Sequence, residues 1–199
     1  NILAGASGQG GDSGYKIEKS LRFNDADNAY LNRTFASGNR KKWTWSGWVK
    51  RSADFGYRQH IFGSVSSGSV YGSFEFRADD GLNFYDSSMG PGSHVVFSTA
   101  KKFRDPSAWY HIIIAVDTTQ STDATRLKLW VNGEQITEFA TALSVTSNSE
   151  GQVNTASQHN LGSWAPAAGF HLDGYMADVH FIDGQQLAAT DFGEFDSNN

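Results

Sequence analysis

From Tyr15 onward the chain alternates apolar and polar residues in short segments, the period of strands with one face buried. "KKWTWSGWVKRS" puts Trp43, Trp45, Gly47 and Val49 on an inward face, and Thr44, Ser46, Trp48 and Lys50 on the other. "YKIEKSLRF" places Tyr15, Ile17, Leu21 and Phe23 on one face, and "LDGYMADVHFIDG" does the same for Tyr175, Ala177, Val179 and Phe181. "AWYHIIIAVD" is apolar on both sides, with Trp109, Ile113 and Ala115 against Tyr110, Ile112, Ile114 and Val116. A strand apolar on both faces is covered on both, so this one is expected at the centre of a sheet.

Two hairpins have a register that can be argued. In "RLKLWVNGEQI" the Asn132-Gly133 pair signals a two-residue type I′ turn that sets Leu129 opposite Ile136. Leu127, Leu129 and Val131 then face inward, while Trp130 faces out beside Lys128, as Trp48 does beside Lys50. In "FEFRADDGLNFYD" a three-residue loop at Asp79-Asp80-Gly81, with Gly81 left-handed, pairs Phe76 with Phe84 and Ala78 with Leu82. "QQLAATDFGEF" suggests one short helical turn, and no long helix is expected. Ser/Thr/Asn/Gln-rich stretches from Thr118 to Thr125 and from Ser144 to Ser157 read as exposed loops. About ten short strands separated by such turns predict an all-β fold, a two-sheet antiparallel β-sandwich.

The 199 residues fit one domain, long enough to bury roughly 70% of the unfolded surface without metal or disulfide support. The glycine-rich start, residues 1–14, reads as an arm or linker, residues 15–196 as the sandwich and 197–199 as a tail. "SGQGGDSG" lacks the G-K-[ST] end of a phosphate loop. The first residues carry no basic n-region or apolar h-region, and no apolar run reaches the ~20 residues of a membrane span. With no cysteine there is neither a disulfide framework nor a thiol nucleophile. A net charge of −5 gives no sign of nucleic-acid binding. The basic residues Arg33, Arg40, Lys41, Lys42, Lys50, Arg51 and Arg58, opposed only by Asp54, are either a solvated face or a patch for an acidic partner.

The order of "SLRFNDADNAYL", "WTWSGWVKRS", "HIFGS", "FEFRADDGLNFYDS", "WYHIIIAVD", "LKLWVNGEQI" and "DGYMADVHFIDGQQL" resembles the concanavalin A-like/laminin-G-like family over Ser20 to Leu187. The wording of the first, second and last of these is similar to virion structural proteins of tailed marine bacteriophages, fibre-like or otherwise exposed. The resemblance implies a jelly-roll sandwich on a virion surface, folded in the host cytoplasm. It implies decoration, fibre assembly or host adhesion beside other virion subunits, as a homo-oligomer, and specifies no ligand; a host surface glycan is the further partner that outward tryptophans suggest. Calcium held by loop oxygens in relatives leaves Asp79, Asp80 and Asp86 open as donors, although turn formation is the commoner reason for such aspartates; no cofactor is assigned.

Catalysis is not expected. Retaining hydrolysis needs two carboxylates about 5 Å apart, which sandwich hydrolases of this class supply as E-x-D-x-x-E on one strand. None of Glu18, Glu75, Glu134, Glu138, Glu150 or Glu194 begins that pattern. His60, His94, His111, His159, His171 and His180 show no close metal spacing, and His111 reads as a hydrogen-bonded core histidine. The candidate contact residues are therefore Trp48, Trp130 and the loop residue Trp164, with Lys50 and Lys128. Trp48 and Trp130 either stack on sugar rings or are covered by another segment or subunit; burying an indole stabilises by about 2–3 kcal/mol.

Overall fold

The computed structural model describes residues 16–52, 56–67, 69–90, 94–164 and 169–194, so the glycine-rich arm, Tyr15, Asp54 and the tail lie outside the described residues. In chain order the strands are β1 (Leu21–Phe23), β2 (Leu31–Thr34), β3 (Lys42–Arg51), β4 (Gln59–Ser67) and β5 (Val70–Phe76). Then come β6 (Leu82–Asp86), β7 (Val95–Thr99), β8 (Tyr110–Asp117), β9 (Leu127–Val131) and β10 (Glu134–Gln135). β11 (Phe139–Thr141), β12 (Gln158–Leu161) and β13 (Gly174–Asp183) complete them. They form a six-stranded sheet ordered β1-β13-β3-β8-β9-β10 and a seven-stranded sheet ordered β11-β7-β6-β5-β4-β12-β2. Every pairing is antiparallel, the expected sandwich.

The core lies between the sheets and is largely aromatic. Trp43 meets Phe84 edge-on at 5.9 Å and Trp45 meets Phe74 at 5.7 Å, each indole on β3 reaching a ring of the opposite sheet. Leu127, Leu129 and Val131 join this core, and Ile136 N donates to Leu129 O across the Asn132-Gly133 turn. Both turn residues have positive φ, 53° and 77°, as a type I′ turn requires. β8 is central, flanked by β3 and β9.

Three expectations need correction. The β5–β6 loop has three residues, but they are Ala78-Asp79-Asp80: Arg77 N donates to Gly81 O, and Phe76 faces Leu82 while Phe74 faces Phe84. Asp80, at φ 66°, takes the left-handed position assigned to Gly81. Its carboxylate is held by Arg51 at 3.0 Å and Arg104 at 2.9 Å, which fixes the turn one residue early. On β13 a bulge between Ala177 and His180, with Asp178 at φ 50°, switches the faces. Met176 therefore joins the core with Val179 and Phe181, and Tyr175 points to solvent. Finally, Leu21 is 56% exposed although Phe23, on the same face, is buried. Leu21 lies further along the edge strand, away from where Phe23 closes over Gly162.

The outer face of the six-stranded sheet is half covered by the chain itself. After β13 the segment Gln185–Phe192 folds back, with a single 3₁₀ turn at Ala189–Asp191, where one helical turn is expected. Thr44 Oγ1 donates to Gln185 O and accepts from Leu187 N, while Gln186 Nε2 donates to Thr125 O. Ala188, Ala189 and Phe192 close over Ile113, Ala115 and Trp130. Trp130 is consequently only 8% exposed: it projects from the outer face as expected, and of its two readings it is cover by another segment that the fold realises.

Candidate functional site

The seven-stranded sheet has an outer face of a different character. Strand alternation turns Tyr71, Ser73 and Glu75 of β5 outward, opposite the buried Phe74 and Phe76. Cross-strand register aligns His60, Glu75, Asn83 and Ser98 in one polar row, all nearly inaccessible. Its groups satisfy one another. Arg58 grips Glu75 with Nε at 2.8 Å and Nη2 at 2.9 Å. His60 Nε2 lies 2.8 Å from the same carboxylate, and the Ser73 hydroxyl is 2.8 Å from His60 Nδ1. Asn83 bonds to Ser98, whose hydroxyl also accepts from Arg77 Nη1.

Burial alone raises a carboxyl pKa, but the hydrogen bonds from His60 and Arg58 and the charge of Arg58 outweigh it and hold Glu75 below the usual range. Burial pushes His60 down, so its imidazole is neutral at pH 7. The consistent arrangement has Nε2–H donating to Glu75 and Nδ1 accepting from Ser73.

Rings stand over this floor. Trp164 meets His60 at 4.7 Å and Tyr71 at 4.9 Å; Phe170 stacks over the Arg58 guanidinium at 4.5 Å, and Tyr85 lies 5.6 Å from it. His94 meets Tyr71 edge-on at 5.8 Å. The backbone is unusual at the rim. Non-glycine residues with positive φ are Asn or Asp everywhere in the described chain except two, His94 at 61° and Phe170 at 54°. Phenylalanine in that region costs of order 1–3 kcal/mol, and such strain is concentrated at ligand sites. Phe170 is nonetheless 47% exposed, so the cost is not recovered by burying its ring.

Ser73, His60 and Glu75 stand in the order of a nucleophile, base and carboxylate. Ser73 is completely buried, however, and the Glu75 carboxylate is committed to Arg58. No second carboxylate joins Glu75 among the described residues that share this face: Asp86 of β6 has inward parity and accepts from the amides of Ser88, Met89 and Gln152. The arrangement positions groups and presents rings, and the Ser73 hydroxyl is out of a ligand's reach. Asp79 and Asp80 pair with Lys102 and with Arg51 and Arg104, so the three aspartates do not converge, and no metal-binding group is found among the described residues.

The five residues expected from sequence fall on opposite sides of the molecule. Trp164 belongs to this cup. Trp48, half-buried, lies flat on His111 at 4.8 Å on the other sheet, where Lys50, Lys128 and the covered Trp130 also lie. His111 bonds to Ser46 at 2.9 Å, hydrogen-bonded as expected, but it is buried on the outer sheet face against Trp48 and Phe192 and not in the core between the sheets. The basic run disperses: Arg40 pairs with Glu150, Lys42 with Asp117, Arg51 with Asp80 and Arg58 with Glu75. Tyr71, Ser73, Tyr85 and Phe170 escaped the sequence reading, and Arg58, His60 and Glu75 entered it only within the basic run, the histidine set and the glutamate set. The signal was the alternation in "YGSFEF", where a serine and a glutamate share a face with a tyrosine beside an inward Phe pair.

Two antiparallel sheets with one aromatic-rimmed outer face define a lectin-like sandwich. The chain belongs to the concanavalin A-like lectin/glucanases superfamily: its laminin-G type 3 family model matches residues 23–190. Among solved structures it is similar to mouse laminin α1 domains LG4-5, with 14% identity and TM-score 0.56 over 85% of this chain and 43% of that one. It is similar to the native heptameric SAP-like pentraxin of Limulus polyphemus, with 15% identity and TM-score 0.52 over 85% of this chain and 77% of that one. Full-length tailspike protein 2 of Escherichia coli O157:H7 bacteriophage CAB120 matches with 15% identity and TM-score 0.53, covering 83% of this chain and 23% of the tailspike. This chain thus spans under a quarter of the tailspike and under half of the laminin fragment. At these identities the likeness is one of fold. No curated protein sequence matches the chain.

Proposed function

We propose that this chain is a non-enzymatic surface-display module of a phage particle, and that it adheres by taking a glycan into the cup around Trp164. The strained, exposed Phe170 over an Arg58 locked onto buried Glu75 carries the reading. A sugar ring offers an apolar C–H face to Trp164 or Tyr71, and its hydroxyls accept from a fixed guanidinium; Nη1 of Arg58 is the nitrogen not committed to Glu75. Arg58 and Glu75 cancel in charge, which suits a neutral sugar. The virion context is supported by the resemblance of the segments quoted above, and the fold shared with a tailspike is compatible with it.

A glycan array tests this directly. Binding of a neutral glycan by the intact protein, reduced at least about tenfold in Trp164→Ala with an unchanged melting temperature, is the expected result. An array with no binder, or a variant that binds as well as the parent, overturns the cup. Release of new reducing ends from a bound polysaccharide, lost in Glu75→Gln, would overturn the non-enzymatic assignment.

A further inference from the structure

The returning segment Gln185–Phe192 seals more than an apolar patch. Its last ring, Phe192, packs on Ile113, Ala115 and Trp130 together with Ala188 and Ala189. The same ring lies edge-on to His111 at 6.3 Å and tilted to His180 at 6.5 Å. His111 is thereby enclosed between Phe192 and the Trp48 indole, which stacks on it at 4.8 Å, and is only 9% exposed. One phenylalanine covers both an apolar cluster and a titratable imidazole.

The segment leaves β13 at a point suited to pivoting. Asp183 is fixed by the amide of Asn39 at 2.8 Å and by Asn154 Nδ2 at 2.7 Å. Gly184, next in the chain, has φ 74°, with open space where a side chain would project. Beyond it the polar ties are those of Thr44 and Gln186 described above.

Every element around His111 contributes a known group. β3 supplies the Ser46 hydroxyl, the Trp48 indole and, at its next outward position, Lys50. The turn after β9 supplies Asn132, whose side-chain oxygen accepts from His111 N, and Lys128 lies further along β9 beside Ala115. β13 supplies Asp178 and His180, paired at 2.9 Å. On the segment itself, Asp191 turns back to accept from the Ala188 amide at 2.7 Å and leaves the Phe192 ring against the imidazole. Burial pushes the His111 pKa down to about 4, although Asp178 favours the charged ring; His180 disfavours it.

We propose that Gln185–Phe192 is an acid-released clasp: protonation of His111 beneath Phe192 lifts the segment about Gly184 and uncovers Ile113, Ala115 and Trp130. An imidazolium under a hydrocarbon ring has lost its water, and the nearby Asp178 carboxylate is already engaged by His180. Lifting the segment restores that water, and the ring then titrates near its ordinary 6.5. A group whose pKa is lower in the closed state binds fewer protons there, so acid favours the open state. The open-to-closed ratio is constant above about pH 6.5, then rises up to about tenfold per pH unit, about a hundredfold in all by pH 4. The apparent affinity of anything that binds the uncovered face rises by the same factor.

Hydrogen exchange of the whole protein between pH 7 and 4, corrected for the intrinsic pH dependence of each amide, measures the opening. The Leu187 amide, bonded to Thr44, and the Phe192 amide, bonded to Ala189 O, report the segment, while Ile112 and Ile114 of β8 report the fold. The expected result is about a hundredfold more opening at Leu187 and Phe192 with β8 protection retained, and a flat profile in His111→Gln. NMR titration of the His111 ring is the second measurement, because Phe192→Ala removes the cover and keeps the imidazole. Its pKa is expected to lie at least about one pH unit higher in that variant than in the parent. Exchange at Leu187 that is independent of pH, a rise that persists in His111→Gln, or β8 amides opening in step with the segment overturns the proposal. So does a His111 titration that Phe192→Ala leaves unmoved.

Discussion

The imidazole of His111 packs flat on Trp48, touches Phe192 edge-on at 6.3 Å and bonds to Ser46. Burial pushes its pKa down from the ordinary 6.5 to about 4. A group whose folded pKa is depressed binds fewer protons when folded, so its stability contribution is complete above about 6.5 and is lost as pH falls towards 4. Asp86 has the opposite sign: burial raises it to about 6 despite three amide donors, so its contribution is greatest below about 3.8 and lost as pH rises through 6. The two oppose each other, and the His111 part is isolated by comparing the parent with His111→Gln. Between pH 6.5 and 4 the parent is expected to lose on the order of 3 kcal/mol more than the variant in denaturant melts. Equal slopes would mean that the ring already titrates as it does in an unfolded chain.

Short edge strands depend on single contacts. β1 has three residues and is held by Phe23, whose ring occupies the space where a side chain at Gly162 would project; a Cβ there falls 2.4 Å from Phe23 Cδ1. Gly162 also has φ 81°, a region that β-carbon-bearing residues avoid. Gly162→Ala is expected to cost about 2–4 kcal/mol, and hydrogen exchange should accelerate first at Leu21–Phe23, with β8 protected. Unchanged protection at β1 would show that the strand is held by its ladder with β13 and not by the ring.

At the scale of the molecule, the segment after β13 works as a clasp over the apolar patch of an otherwise mixed sheet face. It shields Ile113, Ala115 and Trp130 and is stapled by Thr44 and Gln186. A chain ending at Asp183 is expected to lose about 3–6 kcal/mol, to show red-shifted tryptophan emission, and to bind a hydrophobic dye. A truncated protein that melts at the parent temperature would show that the clasp only rests on the sheet. The clasp also divides the face: one half is covered, and the other carries Tyr175, Lys50 and Trp109.

Inward faces, the Asn132-Gly133 register and the central place of β8 were all readable, because each depends on period-two alternation or on the chemistry of a two-residue turn. The same logic failed at the β5–β6 loop and at β13, where arginine anchoring and a bulge shift register without leaving a pattern in the string. Sequence determined that this is a sandwich with surplus aromatics outside its core. Tertiary structure decided which of them remain available: Trp130 went under the clasp, Trp164 joined His60 and Arg58, and Trp109 came to lie beside Tyr175. The physical reason is that strand order and the return path of the last segment depend on contacts between residues far apart in the chain, such as Arg22 with Gly174, 152 positions on, to which local periodicity is blind.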